Sequence, residues 1–220
     1  MRLRIPITTI DSFNYALLQE DQDTTEYLLR EFAQGLTTRM PPTERMELGT
    51  AFGECVKAPI LHYSNGAYTF NGYTFPPETI DIVRSNLDIG GTFEVPCSIE
   101  YECLGDKVII SGRADYLIGT HAIDLKTRKV TSPPKPYELD KRYKKYIQSV
   151  QWMMYCKALG IRDFTYQVYY LEDGTNDILH FLPIQCEYSP TYEDCIYESL
   201  KLLIQFLRTV KLTHCFELTH

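Results

Sequence analysis

Long apolar runs are missing from this chain. No stretch approaches the ~20 consecutive apolar residues that a membrane-crossing helix needs, and Met1 to Phe13 carries polar and charged side chains where a signal peptide would have an apolar centre. The resulting expectation is a cytoplasmic, intracellular protein with no membrane partner. Also absent is any CxxC pair among the seven cysteines (Cys55, Cys97, Cys103, Cys156, Cys186, Cys195 and Cys215), and their number is odd. Both facts argue against a zinc clip and a complete disulfide framework, so reduced, mostly buried thiols are expected. There is no Walker-type glycine–lysine loop, which leaves any ATP-driven step to a partner. A basic surplus is lacking as well: 22 Lys and Arg face 29 Asp and Glu, for a net charge of −7, so the molecule as a whole does not attract nucleic acid.

What is present is globular composition, with 44% hydrophobic and 23% charged residues and no biased or repetitive segment. A single domain over residues 1–220 is the expectation, with a helical N-terminal part at 1–62 and a core at 92–210. The charge is unevenly placed. Between Lys126 and Tyr146 eight basic residues (Lys126, Arg128, Lys129, Lys135, Lys141, Arg142, Lys144, Lys145) meet two acidic ones, leaving +6 there and −13 over the rest.

Patterning predicts the elements. Thr9 to Ser12 offers cap residues before Phe13, Tyr15, Leu17 and Leu18, and Tyr27, Leu28, Leu29 and Phe32 continue with helical spacing. Pro41-Pro42-Thr43 interrupts the chain and caps a helix over 44–58, and Asn71-Gly72 splits an aromatic run at 68–75 into a hairpin. Residues 92–103, 107–118 and 121–127 read as an antiparallel meander, 143–159 as a long helix ended by Gly160, 164–171 and 178–186 as two strands, and 192–210 as a closing helix. The fold class is therefore α/β (α+β), in the order helices, three strands, helix, two strands, helix.

If the second hairpin of the meander turns at Gly119-Thr120, antiparallel register sets Asp115 opposite Asp124. Like charges that close destabilise a sheet unless a cation compensates them, and magnesium prefers one or two carboxylates plus waters and phosphate oxygens. Strand alternation turns Lys126 to the same face as Asp124. An ammonium there can orient an attacking water or balance charge growing on a phosphate. Asp-x-Lys is a common tripeptide and a solvated strand face is its plain alternative; Gly112-Arg113-Ala114-Asp115 at hairpin distance is what sets this one apart.

Leu48-Gly49-Thr50-Ala51-Phe52-Gly53-Glu54, Gly112-Arg113-Ala114-Asp115, Asp124-Leu125-Lys126 and Gln151-Trp152-Met153-Met154-Tyr155 follow one another along the chain. Together they resemble the RecB-like branch of the PD-(D/E)XK nucleases, which includes CRISPR-associated and phage recombination exonucleases. That family reads Gly-Thr-x-x-His, Gly-x-x-Asp, Asp/Glu-x-Lys and Gln-x-x-x-Tyr. The resemblance implies a restriction-endonuclease-like αβββαβ core with a central mixed sheet flanked by helices. It also implies Asp115, Asp124 and the Leu125 carbonyl as ligands of Mg2+ or Mn2+, Lys126 as the catalytic lysine, and Gln151 and Tyr155 as residues that brace the site or touch the nucleic-acid backbone. Gly53 stands where the family has its metal-binding histidine, so the adjacent Glu54 is the candidate ligand, although one residue turns a helix by ~100°. Relatives with an iron–sulfur cluster carry closely spaced cysteines after the core; Cys186, Cys195 and Cys215 are not so spaced, and no cluster is expected.

The implied activity is hydrolysis of DNA phosphodiester bonds by an exonuclease of phage or bacterial recombination or repair, with a helicase or recombination protein as the implied partner type. RNA stays open as a substrate. Arg128, Lys129, Lys144 and Lys145 are candidates for holding phosphates, the alternative being an ordinary solvated helix face. A degenerate nuclease fold retained as a nucleic-acid-binding or protein-interaction module is the competing reading. A site-specific endonuclease is a third, for which no separate recognition domain is evident.

Overall fold

The computed structural model describes residues 1–19, 21–38 and 41–218. The chain runs β1 (Arg2–Pro6), α1 (Ile7–Leu17), α2 (Gln22–Thr37), α3 (Glu44–Lys57) and the one-turn α4 (Pro59–His62). A small sheet follows, β2 (Tyr63–Ser64), β3 (Ala67–Phe70) and β4 (Tyr73–Phe75), then α5 (Pro77–Ser85). The meander is β5 (Thr92–Cys103), β6 (Asp106–Ile118) and β7 (His121–Val130), and the chain continues with α6 (Pro136–Ile147), α7 (Val150–Leu159), β8 (Asp163–Glu172), β9 (Ile178–Glu187) and α8 (Glu193–Thr209).

The main sheet has six strands and is mixed: β1 and β6 run parallel, as do β7 and β8, while β5–β6, β6–β7 and β8–β9 are antiparallel. Helices cover both faces. On one, α1, α7 and α8 pack over Ile5, Ile110, Phe164, Tyr166 and Val168; on the other, α3 and α5 pack over Ile123, Tyr169 and Leu171. Along β8, alternate residues thus enter opposite cores, as expected of a strand covered on both sides.

One edge of β6 is shared between two partners. Its first part, Lys107 to Ser111, pairs with β1, and its last three residues, Tyr116 to Ile118, pair with β7. Gly112 to Asp115 lies between these ladders, where β6 and β7 part to form a fork. The register is that expected for a turn at Gly119-Thr120, since Tyr116 faces Ile123, but the ladder stops there, one residue short of Asp115 and Asp124.

Three local expectations change. Helix α1 starts at Ile7 with Pro6 as its N-cap, so Thr9, Asp11 and Ser12 lie inside the helix and do not cap it. The extended start is a full strand of the main sheet. The long helix over 143–159 is two helices: α6 starts at Pro136, where the fixed proline φ suits a first turn, and ends before Gln148, and α7 restarts at Ser149, whose hydroxyl accepts the Gln151 backbone N–H at 3.2 Å.

Candidate active site

The fork positions the two carboxylates. Asp115 turns towards β7 and its Oδ2 accepts the backbone N–H of Leu125 at 2.9 Å, a bond that replaces the missing rung of the ladder. The same region breaks the regular alternation of β6: Ala114 belongs to the core under α1 and α7, whereas Tyr116, two residues on, belongs to the core under α3. Across the other edge, Glu94 is the residue in register with Asp115, and it is skipped in the β5–β6 ladder with φ +55°. A non-glycine residue in the left-handed region is strained, and such strain gathers at functional sites.

Gly112 lets the fork lie close under the helices. A Cβ there would stand 2.7 Å from Ile7 Cδ1 and 3.0 Å from Tyr155 Cε1, so the Gly-x-x-Asp glycine is required by close packing against α1 and α7. Tyr155 donates its hydroxyl to the Arg113 carbonyl at 3.0 Å and so ties α7 to β6 at this point. Its ring is buried, which makes it a brace beneath the site.

Asp124 is 3% exposed. Lys126 Nζ stands 2.6 Å from Oδ2, out of line for a hydrogen bond, so this buried oxygen has no aligned donor. Gln151 Nε2 reaches Oδ1 at 3.5 Å. Burial raises the Asp124 carboxyl to about 7; Lys126 opposes the shift and Asp115 adds to it. Burial likewise raises Asp115, against Lys126 and the Leu125 N–H. For Lys126, burial works against the ammonium, but the two carboxylates outweigh it and hold its pKa above the ordinary lysine value.

Gln151 is aimed by a tie that local sequence does not reveal. Ser149 donates its hydroxyl to Asp11 Oδ1 at 2.6 Å, and the same oxygen lies 3.4 Å from the Gln151 backbone N–H. A carboxylate at the start of α7 also suits the positive end of the helix dipole. Asp11 and Ser149 are far apart in sequence, and helix α1 had to be placed before either meant anything.

The remaining expected residues scatter. Glu54 is ion-paired with Lys57 at 2.5 Å, and among the described residues no third carboxylate, histidine or cysteine joins Asp115 and Asp124 in a metal-ligating group. Glu94 is a further acidic side chain whose charge is felt at Asp115, and it is held by Lys57 at 3.3 Å and Arg113 at 3.5 Å. Lys129 projects to the opposite face of β7 and pairs with Glu44 at 3.0 Å and Asp173 at 3.3 Å. Arg128 shares the face of Lys126 and sits 3.4 Å from the Tyr146 hydroxyl, its Nε buried without a partner among the described residues. Lys144 pairs with Asp140 at 2.8 Å, and Lys145 lies 3.7 Å above the ring of Tyr15. No described helix is long and apolar enough to cross a membrane.

The two carboxylates fit a magnesium-type site. They supply the one or two protein oxygens such an ion takes when it keeps waters and binds a phosphate, the Leu125 carbonyl is part of the same strand segment, and Asp124 Oδ2 is a buried oxygen without an aligned donor. They do not fit a closed all-protein cage, for which the third ligand is lacking.

No protein-family model matches the chain, and no curated protein matches it in sequence. Among solved structures it is similar to a phage-related exonuclease from Haemophilus somnus 129PT, with TM-score 0.50 and 12% identity over 93% of this chain and 96% of that one. An alkaline exonuclease from Laribacter hongkongensis aligns over 94% of this chain and 88% of that one, with TM-score 0.46 and 15% identity. At such identities the likeness concerns the fold. The mixed sheet flanked by helices matches the fold of that phage-related exonuclease, a PD-(D/E)XK-like arrangement.

Proposed function

We propose that this chain is a divalent-metal-dependent nuclease that hydrolyses DNA phosphodiester bonds, and that it acts as an exonuclease in recombination or repair. The observation that carries the reading is the convergence of Asp115, Asp124 and Lys126 at the fork, with the buried Asp124 ion-paired to Lys126 and the half-buried Asp115 held beside them on the Leu125 N–H. An apolar core gains nothing from this group: the carboxylates repel each other and burial opposes their charge, so their presence calls for a cation and an anionic substrate.

In this reading Asp115, Asp124 and the Leu125 carbonyl hold Mg2+ or Mn2+, which when bound polarises the phosphoryl oxygen and favours ionisation of water. Lys126 orients the attacking water or balances charge that builds up on the phosphate, and it must leave Asp124 to do so. Gln151 fixes the rotamer of Asp124, and Tyr155 holds β6 at the distance that keeps Asp115 in the fork. The fold of the phage-related exonuclease is consistent with this role and supports the exonuclease choice. With no phosphate-binding ATPase loop in the sequence, strand unwinding falls to a partner protein.

Digestion of end-labelled linear DNA and closed circular DNA with Mg2+ or Mn2+ tests the proposal. Loss of linear DNA alone, abolished by Asp124→Ala, is expected; cutting of circles would make it an endonuclease. One observation favours the second reading, a degenerate module: Glu54 stays on Lys57, so the helix supplies no ligand. Nucleic-acid binding without cleavage under either metal would establish that reading.

A further inference from the structure

A cleft of about 1090 Å³ runs between α1 and α6. Tyr146 and Ser149 line it, and both sit against Tyr166, the aromatic ring 6.0 Å from Lys126 Nζ. Its walls carry Arg45, Arg128, Lys141, Arg142, Lys144 and Lys145.

Acidic residues line the cleft too, but each is already engaged. Asp11 takes Ser149 at 2.6 Å, Asp21 caps α2 through the Thr24 backbone N–H at 2.8 Å, Glu138 accepts the Lys135 backbone N–H at 2.7 Å, and Asp140 pairs with Lys144 at 2.8 Å. Among the described residues Arg45, Lys141, Arg142 and Lys145 have no carboxylate partner, and Arg128 Nε is buried without an acceptor. Burial and the neighbouring Arg142, Arg45 and Lys141 also lower the pKa of Lys145, and Asp11 opposes the shift without cancelling it.

Aromatic rings stand among these cations. Tyr15 on α1 is 45% exposed and Tyr137 on α6 is 65% exposed, and Lys145 covers the Tyr15 ring in place of any other partner. A duplex keeps its bases stacked inside and offers a cleft only phosphates, whereas an unpaired strand offers phosphates and free base faces together. Cations interleaved with exposed rings in a concave site are the pattern that tracks a single strand.

We infer that this cleft binds an unpaired nucleic-acid strand, with phosphates on Arg45, Arg142 and Lys145 and bases against Tyr15 and Tyr137, and leads it to the carboxylate pair. The last step rests on the nuclease reading above; the binding does not.

Fluorescence anisotropy in EDTA tests it, with a short labelled single-stranded DNA and a blunt duplex of the same sequence. The single strand is expected to bind about tenfold more tightly than the duplex. Arg142→Ala is expected to weaken it about tenfold and to reduce the salt slope by about 0.7. Tyr15→Ala, at an exposed position, weakens it to a similar degree, about tenfold, and Tyr15→Phe restores it. Equal or tighter duplex binding, or variants that bind like wild type, would overturn the inference even if cleavage is intact. A protein that keeps the strand preference but cleaves nothing with Mg2+ or Mn2+ supports the cleft and removes the nuclease reading instead.

Discussion

Strand β7 carries two basic residues side by side whose fates are opposite. Lys129 faces the α3 side, where Glu44 and Asp173 neutralise it; Arg128 faces the α6 side, where its Nε is buried without an acceptor. On that same side Lys126 pairs with the buried Asp124, and the cleft carries Arg45, Lys141, Arg142 and Lys145, which among the described residues have no carboxylate partner. At β7 one face completes its ion pairs within the protein, and the other leaves Arg128 Nε without an acceptor among the described residues. A basic run on a strand is therefore not one feature: alternation divides it into residues paired within the protein and residues that are not.

The largest effect that would sharpen this contrast is at Lys126. Lys126→Ala is expected to lower cleavage by about 10²–10³-fold, the scale for loss of a group that stabilises transition-state charge, and Lys129→Ala is expected to leave it within about threefold. Next is packing under the fork. Gly112→Ala forces a methyl against Ile7 and Tyr155 and should cost about 1–3 kcal/mol in chemical denaturation, because both neighbours are buried and cannot yield freely. A loss near zero would mean that the fork is looser than its contacts show.

The pH dependence follows from Asp124. Its carboxyl is raised to about 7 in the fold against ~3.9 in an unfolded chain, so between these values the folded state holds a proton that the unfolded state has released. Metal-free stability should therefore fall as pH rises from about 4 to about 7. Metal needs the ionised carboxylate, so the rise in Tm on adding Mn2+ should be small at pH 6 and larger at pH 8. A shift that is the same at both pH values would detach metal binding from Asp124. The smallest effect is on the complete face: Lys129→Ala should change stability by no more than about 1 kcal/mol, as for other exposed pairs, and leave DNA affinity unchanged, while Arg128→Ala weakens DNA binding.

Much of this was legible from the sequence for definite reasons. Thr43 does cap α3 at the Met46 N–H, alternation and turn residues gave β5 to β9, and the turn at Gly119-Thr120 gave the register that brings Asp115 towards Asp124. The fork was not legible, because it arises where β1 and β7 share one edge of β6, and the parallel β1 pairing joins residues about a hundred positions apart. Asp11 and Ser149 were hidden for the same reason. The interruption at Gln148-Ser149 was masked by helical spacing that continues across it. Helix α5 does carry a sequence signal, Pro77 at its first turn followed by Ile80 and Val83. Glu94 looks like any strand residue, and only its backbone conformation and place across from Asp115 distinguish it from Glu54.

The measurement that bears most directly on the site is single-turnover cleavage of end-labelled linear DNA with Mn2+ by wild type, Lys126→Ala and Lys129→Ala, three forms that differ only along β7. Wild type and Lys129→Ala are expected to cleave at rates within about threefold of each other, and Lys126→Ala to lose at least about a hundredfold. Full activity in Lys126→Ala, or equal losses in both variants, would contradict that expectation.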